Sequence, residues 1–199
     1  RGDEAVSMAD RQIEVSQQQA FFFWETTGML YRAGGLLCLG DPQSANETLD
    51  DAIQRYQMTG ARLAMPLYMS YVACAKRQTG DLAASEEAIR RGLDAADAFE
   101  DCFALPELWR QKAQLADSQK DQDQTAACLM KSLTIARDHQ AVADELATWI
   151  QMERWMNKSD QNAIGDSSST SYSSEDVRKT IETLRAQIEP ADFAIPVLD

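Results

Sequence analysis

One pattern recurs at forty-residue intervals through the chain, and it limits the fold more than any other feature. Gly40-Asp41, Gly80-Asp81 and Lys120-Asp121 stand in one register, each preceded at the same distance by a small residue: Ala33, Ala73 and Ala113. After each turn come a large aliphatic (Leu49, Ile89, Leu129), a small residue (Ala52, Gly92, Ser132) and a second aliphatic (Ile53, Leu93, Leu133). Pro66 and Pro106 keep the interval, as do Trp109 and Trp149. An internal period of this length marks a repeat architecture whose units bury their apolar faces against one another.

The columns have a direct physical reading. Glycine accepts the left-handed conformation that closes a helix, and the Asp after it caps the next one. Small residues at matched points let two antiparallel helices approach closely, with the aliphatics filling the seam. This predicts an all-α fold, a right-handed superhelix of about nine helices in antiparallel pairs, forming one repeat domain over residues 1–199. An orphan second helix is expected over 3–18, where Ala5, Ala9 and Ile13 fall in the columns of Ala45, Leu49 and Ile53. That half-repeat suggests a fragment excised from a longer polypeptide. Helix pairs are expected over 21–58, 62–99 and 103–138, and a last pair over 142–157 and 175–188. The run Phe21, Phe22, Phe23, Trp24 is expected in the core against the orphan helix. The Ser-rich stretch 159–174 reads as a flexible insertion, with Ser173 or Ser174 capping the helix that follows. Pro190 is expected to end that helix, before a tail whose Phe193, Ile195, Val197 and Leu198 are apolar enough to pack back or to continue into a further segment.

Composition removes several function classes. The net charge of −13 repels phosphate backbones and argues against nucleic acid as the main partner. No apolar run approaches the length of a bilayer span, so the expectation is a soluble, cytoplasmic protein without membrane contact. Cys38, Cys74, Cys102 and Cys128 lie far apart with no C-x-x-C pair, which argues for buried thiols rather than structural zinc. His139 is the one histidine, and no phosphate loop, metalloprotease motif or nucleophile elbow occurs. Glu86-Glu87, Asp50-Asp51 and Glu100-Asp101 are adjacent in sequence and diverge around a helix. No catalytic residue, metal site or cofactor is expected.

The paired helices resemble tetratricopeptide repeats in a lengthened, forty-residue form. Over residues 21–184 three runs, Thr59–Tyr68, Glu107–Ala113 and Ser132–Arg137, resemble the helical C-terminal region of large bacterial signalling ATPases. In that family class III adenylate or guanylate cyclase domains, or winged-helix DNA-binding domains, precede a P-loop ATPase module and then the repeats. Ala113 stands where the family commonly has Gly, and Ala147 where it has Arg. The resemblance implies a concave wall lined by Ser70, Cys74, Arg77 and Gln78, then Glu107, Arg110, Gln114 and Asp117, then Ile150, Arg154 and Asn157. On it Arg77, Arg110 and Arg154 would form a basic thread for a carboxylate-bearing peptide, unless they pair with Glu107, Asp117 and Glu153 and hold the stack. The implied function is a non-catalytic interaction or regulatory scaffold module of a multidomain signalling protein. Its partner would be a protein or peptide, or another domain of the parent chain. The alternative is a small-molecule-sensing domain of an ATPase-type transcriptional activator, with a pocket walled by Phe21, Phe23, Trp24, Tyr31, Tyr68 and Tyr71. A homodimer through the face left bare by the orphan helix is a third expectation.

Overall fold

The computed structural model describes residues 2–165 and 171–188. Among these the chain is all-α, with nine helices and one two-stranded hairpin. The helices are α1 (Gly2–Gln18), α2 (Phe22–Cys38), α3 (Pro42–Met58), α4 (Met65–Gln78), α5 (Leu82–Phe99), α6 (Leu105–Ser118), α7 (Gln122–Asp138), α8 (Val142–Ser159) and α9 (Ser174–Gln187). The strands β1 (Ala163–Gly165) and β2 (Ser171–Ser173) lie between α8 and α9. Two compact units divide at Ala104, the first holding α1–α5 and the second α6–α9 with the hairpin. Within each, consecutive helices pack, and the helices two apart, α2 with α4 and α6 with α8, also touch.

The helix ends show why the units are so regular. Backbone φ is positive at Ala20, Gly40, Gly60, Gly80, Glu100, Lys120, Gln140 and Asp160, a spacing of twenty residues, half the period visible in the sequence. At seven of these eight ends the following amide donates to a carbonyl five residues back, as in Asp41 to Leu36, Asp121 to Ala116 and Ala141 to Ala136. This is the closing hydrogen bond of a Schellman cap. At Gly60 the Thr59 hydroxyl replaces it, donating to the Tyr56 carbonyl at 2.6 Å and accepting from Ala61 N–H at 3.1 Å. Asp41, Asp81 and Asp121 then cap α3, α5 and α7, each accepting from the amide three residues on. Ser173 and Asp176 form a reciprocal capping box at the start of α9.

In the first unit the small-residue columns lie in the core. Ala33, Ala52 and Ala73 are fully buried among Leu30, Leu49, Tyr56 and Tyr68. The tightest seam, however, is made by glycines. A Cβ on Gly28 would come 2.9 Å from Ile13 Cγ1, and one on Gly35 would come 2.8 Å from Val6 Cγ2. Opposite them the buried positions of α1 are Gly2, Ala9 and Ser16, so the two helices meet almost backbone to backbone. This corrects the expected role of the aromatic run. Phe21, Phe22 and Trp24 are exposed, and only Phe23 turns inward, against Tyr56. Helices in such close contact leave no space between them for rings, which are displaced to the flanks.

The second unit buries Ala113, Leu129, Leu133, Leu146, Trp149 and Met152 with Val177, Ile181 and Leu184 of α9. Part of the stretch read as a flexible insertion is the hairpin instead. Ile164, 2% exposed, pairs with Tyr172 across the strands and enters this core. Tyr172 meets the Trp149 ring edge-on at 4.8 Å, and its hydroxyl accepts from Arg137 at 2.9 Å. An isoleucine and a tyrosine spaced across a polar run therefore tie the segment down. Residues 166–170 within that insertion, and Pro190 with the apolar tail, lie outside the described residues.

Candidate functional site

An open groove of about 530 Å³ runs along the first unit, where the end of α3 and the start of α4 face the second half of α5. Its lining includes Ala61, Met65, Met69, Ala95 and Phe99, with Arg62, Arg90, Arg91 and Asp94. Local chemistry fixes the linker that forms one wall. The Tyr56 hydroxyl donates to the Leu63 carbonyl, Thr59 holds Ala61, and the Asp101 carboxylate accepts from Ala64 N–H at 3.1 Å. Ala64 is left-handed at φ 58°, the bend from which α4 starts. Three hydrogen bonds thus fix the path of this wall.

The charges of the groove are unequal in availability. Arg90 donates to Glu87 at 2.6 Å and to Asp94 at 2.7 Å, so its charge is matched locally. Its hydrogen bond holds the Glu87 carboxyl below the usual carboxylate range, with Arg91 the smallest contributor. The Arg62 guanidinium lies 5.0 Å from the centre of the Phe99 ring, a cation–π contact, and the Arg62 residue is exposed. Arg91 is exposed beside the groove. Next along the chain, Leu63 is 79% exposed. The result is apolar surface rimmed by cations on a chain of net charge −13.

The residues expected on a concave wall differ among themselves in exposure. In the first unit Ser70 and Cys74 are fully buried, with Ser70 donating to the Leu67 carbonyl and Gln78 reaching Cys74 Sγ at 3.4 Å. Arg77 and Gln78 are half-buried. In the second unit Glu107 and Arg110 are interior, whereas Gln114, Asp117 and Ile150 are half-buried and Arg154 and Asn157 exposed. Asp117 accepts from Lys158 at 2.6 Å. Arg110 is held by Glu107 and by Asp144 at 2.8 Å, and also donates to Thr148 at 3.2 Å. Burial would lower its pKa, but the two carboxylates more than offset this and raise it. Gln111 donates to Glu107 and Gln151 to the Arg110 carbonyl, extending an interior polar network in which the Oε1 atoms of both glutamines have no hydrogen-bond partner among the described residues. Within it Glu107 accepts from Arg110 and Gln111, and Asp144 accepts from Arg110.

Of the aromatics expected to wall a ligand pocket, Tyr68 is wholly in the core and Phe21, Trp24 and Tyr31 face outward. Burial and the neighbouring Tyr31 hydroxyl raise the Tyr68 pKa far above the usual phenol range. Among the described residues no cluster of three or more His, Cys, Asp or Glu side chains could hold a metal ion, and no helix is long and apolar enough to cross a membrane. Compared with known proteins, the chain matches no family model and no curated protein. The groove itself was not singled out from sequence. Its one signal was the Arg90-Arg91 pair, three and four residues after Glu87, within a strongly acidic chain.

Proposed function

We propose that this chain is a non-catalytic docking module, built of tetratricopeptide-like helix pairs, that holds a segment of another protein in the α3–α4–α5 groove. The observation that carries this reading is the groove itself, whose linker wall is held by hydrogen bonds and whose lining joins apolar side chains to arginines. Helix-flanked grooves of this kind recognise short segments by anchoring a few side chains. The setting is a multidomain signalling protein of the cytoplasm, whose partner segment belongs to another protein or another domain of the parent. The resemblance of runs 59–68, 107–113 and 132–137 supports a parent of the cyclase–ATPase type, and four thiols suit a reducing compartment.

The test is site-specific crosslinking in cells. Ala95, in the groove, and Glu47, an exposed residue on α3, are each replaced by a photoreactive phenylalanine analogue. A discrete adduct from position 95 that is absent from position 47 is the expected result. Equal labelling from both positions would sink the docking role.

A further inference from the structure

We propose that the occupant of the groove is an acidic amphipathic segment, one that presents carboxylates to Arg62 and Arg91 and aliphatic or aromatic side chains to Met65, Met69 and Phe99. This rests on the docking role argued above and specifies its ligand. Of the three arginines that line the groove, Arg90 is bonded to both Glu87 and Asp94, so among the described residues Arg62 and Arg91 are the two without an ion pair. An incoming carboxylate therefore meets unmatched positive charge. Arg62, exposed and in cation–π contact with Phe99, carries the planar fork of N–H groups that can bond a carboxylate through two parallel hydrogen bonds. The same lining holds the apolar side chains of Met65, Met69 and Phe99. Methionine adapts its shape to the side chain it receives, which suits a segment bearing mixed Leu and Phe anchors. Elsewhere the chain's net charge of −13 repels an acidic ligand, so the field itself favours this place over the rest of the surface.

The experiment uses the whole chain and three fluorescein-labelled synthetic peptides, read by fluorescence anisotropy. The first is an amphipathic sequence of Asp, Glu, Leu and Phe; the second replaces its acids by Asn and Gln; the third keeps the acids and replaces Leu and Phe by Ser. The first is expected to bind at least tenfold more tightly than either control, and to weaken with added salt. Arg91→Glu should weaken it by tenfold or more, and Arg91→Gln by less. Lys131→Glu, at an exposed site on α7 of the second unit, should leave it unchanged. Equal affinity for the acidic and neutral peptides would overturn the charge assignment while leaving the docking role intact. Loss of binding to all three would remove the groove as a docking site and take both conclusions with it.

Discussion

Arg90 in the first unit and Arg110 in the second each hold two carboxylates, yet the two arrangements are physically unlike. The Arg90 side chain is 60% exposed, as are its partners Glu87 and Asp94 by similar amounts. Arg110 is 5% exposed, and its contacts reach α8 through Asp144 and Thr148. In water an ion pair exchanges one set of good partners for another, so its net contribution is small. In the interior the same pair must offset the loss of hydration, and removing one member strands the others. The contrast extends to how each unit joins its helices. The first brings α1 and α2 into glycine-lined contact, whereas the second links α6 to α8 by a hydrogen-bonded network. Counting salt bridges would rank the two arginines equal; their surroundings separate them.

Arg110→Met should therefore produce the largest effect of any single change. Glu107 and Asp144 would stay behind without their counter-charge, a loss on the order of 3–5 kcal/mol. Urea unfolding, followed by peptide-resolved hydrogen exchange, should show the second unit opening early. Arg90→Met in the same assay should not move the midpoint beyond scatter. Comparable losses from both would abolish the distinction drawn between them.

The glycine seam gives the next largest effect. Gly35→Val places side-chain atoms where a Cβ alone already falls 2.8 Å from Val6 Cγ2, and should cost about 1–3 kcal/mol through overpacking. Ala113→Leu is the counterpart in the second unit and should cost a similar amount, since Ala113 is fully buried in that core. Hydrogen exchange should place the first loss in α1 and α2 and the second in α6 and α7. Unchanged protection in Gly35→Val would show that α1 is not docked through this face.

These results also mark what the sequence made legible. Columns such as Ala33, Ala73 and Ala113 were readable because burial and close approach demand small residues there. The twenty-residue rhythm of left-handed turns was hidden, since only Gly40, Gly60 and Gly80 of the eight positions are glycine. At Ala20, Glu100, Lys120 and Gln140 the backbone hydrogen bonds of the cap impose the conformation on residues with no preference for it, whereas Asp160 adopts it more readily. Phe21, Phe22 and Trp24 were misread because hydrophobicity reports what a side chain avoids, not how near the neighbouring helix comes. Glu107, three residues before Arg110, could be anticipated as a partner, but Asp144, thirty-four residues away, required the fold. The groove was obscured for the same reason: Arg62, Arg91 and Phe99 are brought together by a turn and a helix crossing.

The hidden turns can be tested by giving them the residue they lack. Lys120, at φ 64°, and Gln140, at φ 53°, occupy a region that costs an L-residue about 1–2 kcal/mol relative to right-handed backbone. Lys120→Gly should recover part of this, a gain of about 0.5–1 kcal/mol after glycine's greater chain entropy is subtracted. Gly80→Ala should lose a similar amount in the first unit, because Gly80 sits at φ 89°. Opposite signs in thermal unfolding would support the cap geometry in both units. A loss in Lys120→Gly would show that the lysine side chain contributes more than its backbone strain.

The smallest effect lies at the start of the helices, where each unit has a carboxylate cap. Hydrogen bonds from the Ser44 hydroxyl and amide hold the Asp41 carboxyl below its ordinary pKa, and Ser173 does the same for Asp176. A depressed folded pKa means that each cap contributes fully above the unfolded carboxylate value, near 3.9, and loses that contribution as pH falls through the folded value. Amide chemical shifts of Ser44 and Ser173, followed from pH 6 downward, should stay flat until below about 3.9 and then move as the caps protonate. Asp41→Asn keeps an acceptor without the charge and should flatten the acid response of α3 alone, leaving that of α9. A Ser44 shift that titrates above the ordinary carboxylate range would reverse the sign of the Asp41 perturbation, and with it the role of that side chain in starting α3.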